Sequence, residues 1–593
     1  MKWMKANDSE STLIRNVFMS SMVTMILSNL TTFAGSMVDG VVISRFLGTS
    51  CMAAFQLSIP FTLCMVMVSQ VFSVGVQNVC AKKLGARKGD EANSAYTTSM
   101  ILLAAISIAV SVATIIGASG FSRLLGATGE KAELAGELSE YIIGLSFGTP
   151  MLCIMPVIIS VMFLEGKGKK VMTALLIQTV VDVALDLANV FWFKKGMLGM
   201  GIATSVCYYA AFLYILFSRF TEKGAIRMRA DSFRISCMTG VFKIGLPAAV
   251  DRAYKTIQML VLNKVLAAVA ASAAIAAFGN INTLNNIYNP ITSGIGTAVL
   301  TMTAVFYGER DKKSISILMK NAVKITLLVE VIVAVVSFVT APFLMLIFVK
   351  SSEADALAIA IRALRIYVLY IPVYGINHIL QKYYNSIGNM RMTYILSAFD
   401  NLIFICLFAV ILGNRFQADG VFLSFFVAEV CTLVSMFFVI FVILKRPPRS
   451  VDDFLDLPKD FELSAERHLS VSASNEEEVI AASEEVTQFC KRNGMPSREA
   501  MYFALAVEEL GMNIVRYGIR EKKSGSMDIR LCRGDNWMLR IRDNGGAFDP
   551  TNWLSLHEED EKEKNIGIRM VLSGAKDVSY VNAIKTNCIV IEY

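Results

Sequence analysis

Histidine is scarce in this chain, and closely spaced cysteines are missing from it. Three histidines (His378, His468 and His557) stand among 593 residues, and none of the eleven cysteines forms a C-x-x-C pair. That combination argues against a zinc site and against a disulfide framework. Cys64, Cys153, Cys207, Cys406 and Cys431 lie inside apolar runs, where a thiol is expected to act as a small buried apolar side chain. A G-x-x-x-x-G-K-[ST] loop is also missing, which disfavours a primary, ATP-driven pump. Charge is thin: 18% of residues are Asp, Glu, Lys or Arg, and residues 1–444 hold long runs without any.

Apolar residues fill those runs. The chain is 55% hydrophobic, against roughly 45–50% apolar for an ordinary soluble domain. From residue 445 onward the composition is that of a soluble protein. The shift predicts four segments: a six-helix lobe over 1–230, a second over 231–444, a linker over 445–463 and a soluble domain over 464–593.

A bilayer-spanning helix needs about 20 mostly apolar residues. Twelve such spans are expected, near 14–38, 52–80, 95–118, 140–164, 171–193, 198–219, 238–266, 272–306, 317–349, 362–386, 392–413 and 418–444. The first is long enough to remain in the bilayer, so no cleavable leader is expected. Basic residues crowd the loops after even-numbered spans: Lys82, Lys83, Arg87 and Lys88; Lys167, Lys169 and Lys170; Lys223, Arg227, Arg229 and Arg234; Arg310, Lys312 and Lys313. Cytoplasmic loops carry this excess, so both termini are expected in the cytoplasm of a cell inner membrane. The net charge of +7 is then a property of these loops and does not point to nucleic acid.

The membrane part repeats itself at an offset of a little over two hundred residues. Ala81-Lys-Lys-Leu-Gly85-Ala-Arg87 closes the second span, and Ala304-Val-Phe-Tyr-Gly308-Glu-Arg310 closes the eighth. Gly168-Lys-Lys-Val-Met172-Thr173 opens the fifth, and Gly388-Asn-Met-Arg-Met392-Thr393 opens the eleventh. Six spans per copy preserve orientation, so the halves are parallel repeats with a site expected between them. With Val38-Asp39-Gly40-Val-Val-Ile-Ser-Arg45-Phe-Leu-Gly48 in the first span and Ile244-Gly245-Leu246-Pro247 opening the second half, residues 13–444 resemble the multidrug and toxic compound extrusion (MATE) family. The resemblance implies export of amphipathic, often cationic, organic molecules in exchange for Na+ or H+.

Ionisable groups inside spans are costly and usually functional. The first half has Asp39, Asp182 and Asp186, and the last two are four residues apart on one helical face. Three carboxylates in one lobe could bind a cation or share a proton; the plainer alternative is hydrogen bonding to a neighbouring helix. By the resemblance, Asp39 and Asp186 match acidic coupling positions, and Asp182 stands where Asn is more usual. Asp251 loosely fits a second acidic position on the seventh helix, yet Lys255 is also placed to pair with it. The tenth span offers His378 where some relatives have a carboxylate. Asn280, Asn282, Asn285, Asn286 and Asn289 line a cavity or bond across helices.

Beyond the linker the periodicity predicts a strand at 467–473, helices at 476–492 and 497–517, a hairpin at 525–533 and 536–542, and strands at 579–583 and 587–593. This is an α+β sandwich with helices on one face of an antiparallel sheet. Glu509-x3-Asn513 places a carboxylate and an amide on one helical face. Asp543-Asn-Gly545-Gly546 follows a strand, and Asn565-Ile-Gly567 precedes a helix. These boxes resemble the GHKL ATP-binding superfamily, in its anti-sigma-factor serine kinase branch. The resemblance implies ATP and Mg2+ as cofactors, Glu509 as catalytic base, Asn513 as Mg2+ ligand, Asp543 as reader of adenine, and Gly545, Gly546 and Gly567 as shapers of pocket and lid. Asn565 departs from the usual glycine, which favours ATP binding over efficient turnover. The run 557–564 reads as a solvated loop that would also suit a lid.

The expected function is therefore a cation-coupled exporter in the lipid bilayer, acting on small organic cations or drugs. Its tail would bind ATP and either regulate transport or phosphorylate an antagonist-type protein on Ser; the related kinases dimerise, so a dimer through the tail is a further implication. The alternatives are a lipid-linked precursor flippase, or an orphan transporter with a nucleotide-free scaffold tail. A sensor histidine kinase is disfavoured, because His468 lies in a strand rather than on a long helix.

Overall fold

The computed structural model describes residues 2–125, 134–221, 224–269, 272–458, 461, 467–519, 525–533, 536–550 and 566–593. Its first lobe is built from α1 (Lys2–Val42), α2 (Thr49–Gly85), α3 (Gly89–Ile116), α4 (Ala135–Leu164), α5 (Gly168–Ala188) and α6 (Gly196–Thr221). The second lobe follows the same plan with α7 (Met238–Val269), α8 (Ser272–Gly308), α9 (Lys312–Leu346) and α10 (Ala354–Ile387). A last stretch, Met390–Leu444, is broken at Gln417, whose φ of 55° no α-helix accommodates. It therefore makes two passes, α11 (390–416) and α12 (418–444). Ten helices among the described residues are long and apolar enough to cross a membrane, counting that stretch as one. The break adds an eleventh pass, and α7, which carries Asp251, Arg252 and Lys255, completes the twelve expected. Leu213, Val335, Phe343 and Phe438 lie exposed on the outer faces, as lipid contact requires.

The sequence repeat is also a structural repeat. The turns after α2 and α8 both put their arginine in the left-handed region, with φ 61° at Arg87 and 53° at Arg310. The last glycines of the two helices meet backbone to backbone. A Cβ on Gly85 would lie 2.2 Å from the Val305 carbonyl oxygen, and one on Gly308 would lie 2.2 Å from that of Lys82. Deeper in, Gln77 donates to Thr301 (2.8 Å), Asn78 donates to the Asn385 carbonyl (3.2 Å), and Phe72 meets Phe242 edge to face. These contacts join the lobes in the half of the bundle nearer the tail.

The tail contains β1 (His468–Ala473), α13 (Glu476–Arg492), α14 (Ser497–Asn513), β2 (Met527–Arg533), β3 (Trp537–Asp543), α15 (Ile566–Gly574), β4 (Asp577–Ala583) and β5 (Thr586–Glu592). The strands form one antiparallel sheet in the order β1-β2-β3-β5-β4. Asn475 caps α13 by accepting from the Glu478 amide (2.9 Å), so the helix begins where expected. α14 ends at Asn513 and continues as one wide turn, Ile514–Gly518. Alternation along the strands sends Ile529, Leu531, Leu539, Ile541, Ile589 and Ile591 to the helical side, where they pack on Val479, Val486, Phe503, Val507 and Val571.

The other sheet face lies on the membrane part. Arg530, Arg540 and Arg542 reach the α8–α9 turn: Arg540 contacts Glu309 at 2.9 Å and Asp311 at 2.7 Å, Arg542 contacts Glu309 at 3.0 Å, and Arg530 contacts Asp311 at 3.0 Å. Residues 445–458 cross the second lobe, where Tyr383 donates to the Leu455 carbonyl (2.6 Å) and Tyr384 to that of Phe454 (2.8 Å). All eleven cysteines are free. Cys153 and Cys207 are buried as expected, Cys406 and Cys431 are half-buried, and Cys64, expected to be buried, is exposed.

Candidate functional sites

The first lobe brings three carboxylates together. Asp39 lies near the end of α1, while Asp182 and Asp186 share one face of α5. Each offers an oxygen within 4.8 Å of the others. Asp182 and Asp186 are buried. Neither oxygen of Asp186 has a hydrogen-bond partner among the described residues, and one oxygen each of Asp39 and Asp182 also lacks one. Unpaired buried carboxylate oxygens are expensive in a low-dielectric bundle. A cation or a proton held among the three removes that cost, so the residues present fit a small cation.

Asp251 stands apart from this cluster, in the second lobe. It pairs with Lys255 at 3.5 Å and accepts from Gln381 (3.1 Å), Ser397 (2.8 Å) and Asn401 (2.9 Å). Its charge is already balanced. His378 is buried beside Tyr374 and the Gly296 backbone. Of the five asparagines on α8, Asn285 bonds across to Tyr367 and Tyr370 on α10.

The second site lies in the tail, between α14, α15 and the end of β3. Asp543 is 2% exposed. Its Oδ1 accepts from the Gly545 amide (2.6 Å) and from Asn587 Nδ2 (3.0 Å). Asn587 also donates to the Gly546 carbonyl (2.9 Å), and Tyr580 (2.7 Å) and Asn582 (2.8 Å) donate to Asn587 Oδ1. The Gly546 amide donates to the Gly518 carbonyl (3.1 Å), tying this turn to the end of α14. Glu509 and Asn513 project from one face of α14, half-buried. Gly567 lies directly against Glu509: a Cβ there would fall 2.1 Å from the carboxyl carbon. The structure thus sets Gly567 against Glu509, gathers Asp543, Gly545 and Gly546 around Asn587 beside the end of α14, and places Asn513 on the same face of α14 as Glu509. An oriented buried carboxylate, an amide and carboxylate one turn away and a side-chain-free wall fit an ATP–Mg2+ group. Asn565 and the run 557–564 lie outside the described residues.

Asn587 was missed by sequence reasoning. It faces Asp543 across β3 and β5 in the register Asp543↔Asn587. An asparagine in the last strand has no motif of its own, and register is a tertiary property.

Twelve helices in two repeated lobes, with a carboxylate cluster inside one of them, define a polytopic membrane transporter carrying a soluble ATPase-like domain. Comparison with known proteins agrees. The MatE family model matches residues 24–188 and 247–411, and that of the histidine kinase-like ATPase domain matches residues 472–593. The chain belongs to the MATE family. It is 24% identical over 407 residues to the multidrug export protein MepA of Staphylococcus saprophyticus, covering 66% of this chain and 86% of that one. It is 24% identical over 440 residues to the probable multidrug resistance protein YpnP of Bacillus subtilis, covering 71% and 94%. Among solved structures, the outward-facing conformation of a multidrug resistance MATE family transporter superposes with a TM-score of 0.66 at 19% identity, covering 73% of this chain and 96% of that one. A MOP superfamily transporter from Pyrococcus furiosus, described as having a binding pocket of reversed polarity, superposes with a TM-score of 0.65 at 19% identity, covering 73% and 96%.

Proposed function

We propose that this protein is an antiporter that exports organic cations or drugs in exchange for Na+ or H+, with a tail that binds Mg-ATP and regulates transport. The observation that carries the exchange reading is the convergence of Asp39, Asp182 and Asp186, whose oxygens lie within 4.8 Å and go largely unpartnered. Such a cluster releases its proton or cation when one side of the membrane is presented and takes one up from the other. The similarity to MepA and YpnP supports drug-like substrates. The balanced Asp251–Lys255 pair favours a structural role for Asp251, with coupling concentrated in the first lobe. The basic loops on the tail side support an inner-membrane protein with cytoplasmic termini.

In the tail, Asp543 would hold the adenine amino group, Asn513 the Mg2+, and Gly567 the close backbone approach. Bound Mg-ATP would supply a transferable phosphoryl group, for which Glu509 is the positioned base. Asn587 and the Gly545 amide, both donating to Asp543 Oδ1, hold this carboxylate in its orientation. The test uses purified full-length protein in liposomes loaded with ethidium. Efflux should follow an imposed Na+ or proton gradient and disappear in Asp186→Asn. Efflux that persists without any ion gradient would reject coupled exchange.

A further inference from the structure

The sheet of the tail has two working faces, and the second touches both lobes of the transporter where they meet. On the first-lobe side, Arg87 pairs with Glu592, the Ile584 amide donates to the Leu164 carbonyl (2.7 Å), and Lys585 donates to Ser20 Oγ (2.7 Å). On the second-lobe side, Glu309 and Asp311 are enclosed by Arg530, Arg540 and Arg542, and Arg542 also donates to Ser314 Oγ (2.7 Å). Arg87 and Glu309 belong to the two repeat-related turns whose glycines, Gly85 and Gly308, press backbone against backbone. Separating the lobes at this end requires those turns to part, and the sheet holds both.

We propose that the membrane-facing surface of this sheet is a lock on the tail-side gate of the transporter, and that nucleotide at the Asp543 pocket releases it. The release half rests on the reading of the tail as an ATP site.

The composition of the lock suits reversible use. Three arginines face three carboxylates, of which Asp528 belongs to the sheet and Glu309 and Asp311 to the transporter. Buried ion pairs gain little net stability over their hydrated forms, so parting them into water is far easier than removing one partner. A cavity of about 390 Å³ remains between the surfaces, lined by Arg87, Glu309, Arg530, Arg540, Met538 and Phe461 among others. This contact is held by buried ion pairs beside a cavity, unlike a closely packed apolar core.

The route from pocket to lock is short. Arg542 and Asp543 are neighbours on β3 and point to opposite faces. Gly567 on α15 lies directly against the Glu509 carboxylate, so a phosphate that reaches Glu509 would press on α15. Two residues after α15 the chain enters β4, and the β4–β5 turn carries Ile584 and Lys585, the contacts to the first lobe. Movement of α15 therefore reaches the lock through one strand.

Amide hydrogen exchange on the full-length protein in detergent micelles tests both halves. Segments 84–88 and 308–314 report the gate; segment 543–546 reports nucleotide. Mg-ATP should slow exchange at 543–546 and raise it at least about tenfold at the gate segments, and Asp543→Ala should lose both responses. The double variant Arg540→Ala with Arg542→Ala should raise gate exchange without nucleotide. If that variant folds poorly, Lys585→Ala and Glu592→Gln open the first-lobe side alone and should raise exchange at 84–88. Gate exchange at the wild-type level in all of these variants overturns the lock. Slowing at 543–546 with no change at the gate overturns release by nucleotide. A silent 543–546 segment at millimolar Mg-ATP instead removes the ATP reading, and the variants alone then decide the lock.

Discussion

Arg542 and Asp543 are consecutive on β3 yet belong to different sites. Arg542 turns to the membrane side, 3.0 Å from Glu309, and Asp543 turns to the pocket, where Asn587 donates to it at 3.0 Å. Strand alternation alone produces this division, since neighbouring side chains leave opposite faces. The proposed nucleotide site and the transporter contact thereby share one strand.

Asn587→Ala should weaken Mg-ATP binding without unfolding the tail. It removes a donor to a carboxylate, an interaction of about 1.5–3 kcal/mol, or roughly ten- to hundredfold in affinity. Titration calorimetry on the full-length protein measures this. Unchanged affinity would mean that Gly545 alone aligns Asp543.

Asp186→Asn is predicted to abolish ion-driven efflux while leaving the protein folded in the membrane. The change keeps the volume and removes the charge from a site where both carboxylate oxygens lack partners. Stability should not fall, because an uncompensated buried carboxylate is a cost to the fold. Thermal unfolding in detergent should give an equal or higher midpoint; a fall of several degrees would show that Asp186 is a structural residue.

Gly85→Val should disturb the tail-side meeting of the lobes. Its Cβ would fall 2.2 Å from the Val305 carbonyl oxygen, and backbone cannot yield as a side-chain tip can. Overpacking of this kind typically costs about 1–3 kcal/mol. Amide exchange at 304–311 should rise; unaltered exchange there would mean that the helices slide apart freely.

The sheet should stay docked as pH falls from 8 to 5, although its two transporter carboxylates are shifted in opposite directions: burial, only partly offset by Arg540 and Arg542, raises Glu309 above its usual value. Burial works against the charged form of Asp311, but Arg540, Arg530 and Arg542 outweigh it and hold the carboxyl well below its usual value. A depressed carboxylate contributes its full stabilisation above the unfolded value, about 3.9, and loses it only as pH falls through the lower folded value. Asp311 thus stays charged from pH 5 to 8 while a raised Glu309 favours the docked form as pH falls, so exchange at 308–314, corrected for its intrinsic pH dependence, should not rise between pH 8 and 5. Undocking between pH 5 and 7 would contradict this.

Much of this protein was legible one residue at a time. Apolar runs of membrane length gave the twelve passes, with the break at Gln417 separating the last two, because a bilayer imposes its thickness on any chain that crosses it. The repeated Gly85 and Gly308 motifs and the boxes at Glu509, Asn513, Asp543 and Gly567 were visible because backbone approach and ligand chemistry demand particular residue types at fixed spacing. Pairing across the chain was visible only in part: the three first-lobe carboxylates and Asp251 with Lys255 were expected to act together, but the contacts that bring them together were not. Asp39 joins Asp182 and Asp186 only when α1 meets α5, Asn587 reaches Asp543 only through the β3–β5 register, and Asp251 is balanced by Gln381, Ser397 and Asn401 from other helices. Arg530, Arg540 and Arg542 carry no motif of their own, and their partners, Glu309 and Asp311, lie more than two hundred residues earlier. Local sequence determines which elements form and what chemistry each can carry; which charges meet is decided when the elements pack, because only burial makes an unpaired charge too costly to leave.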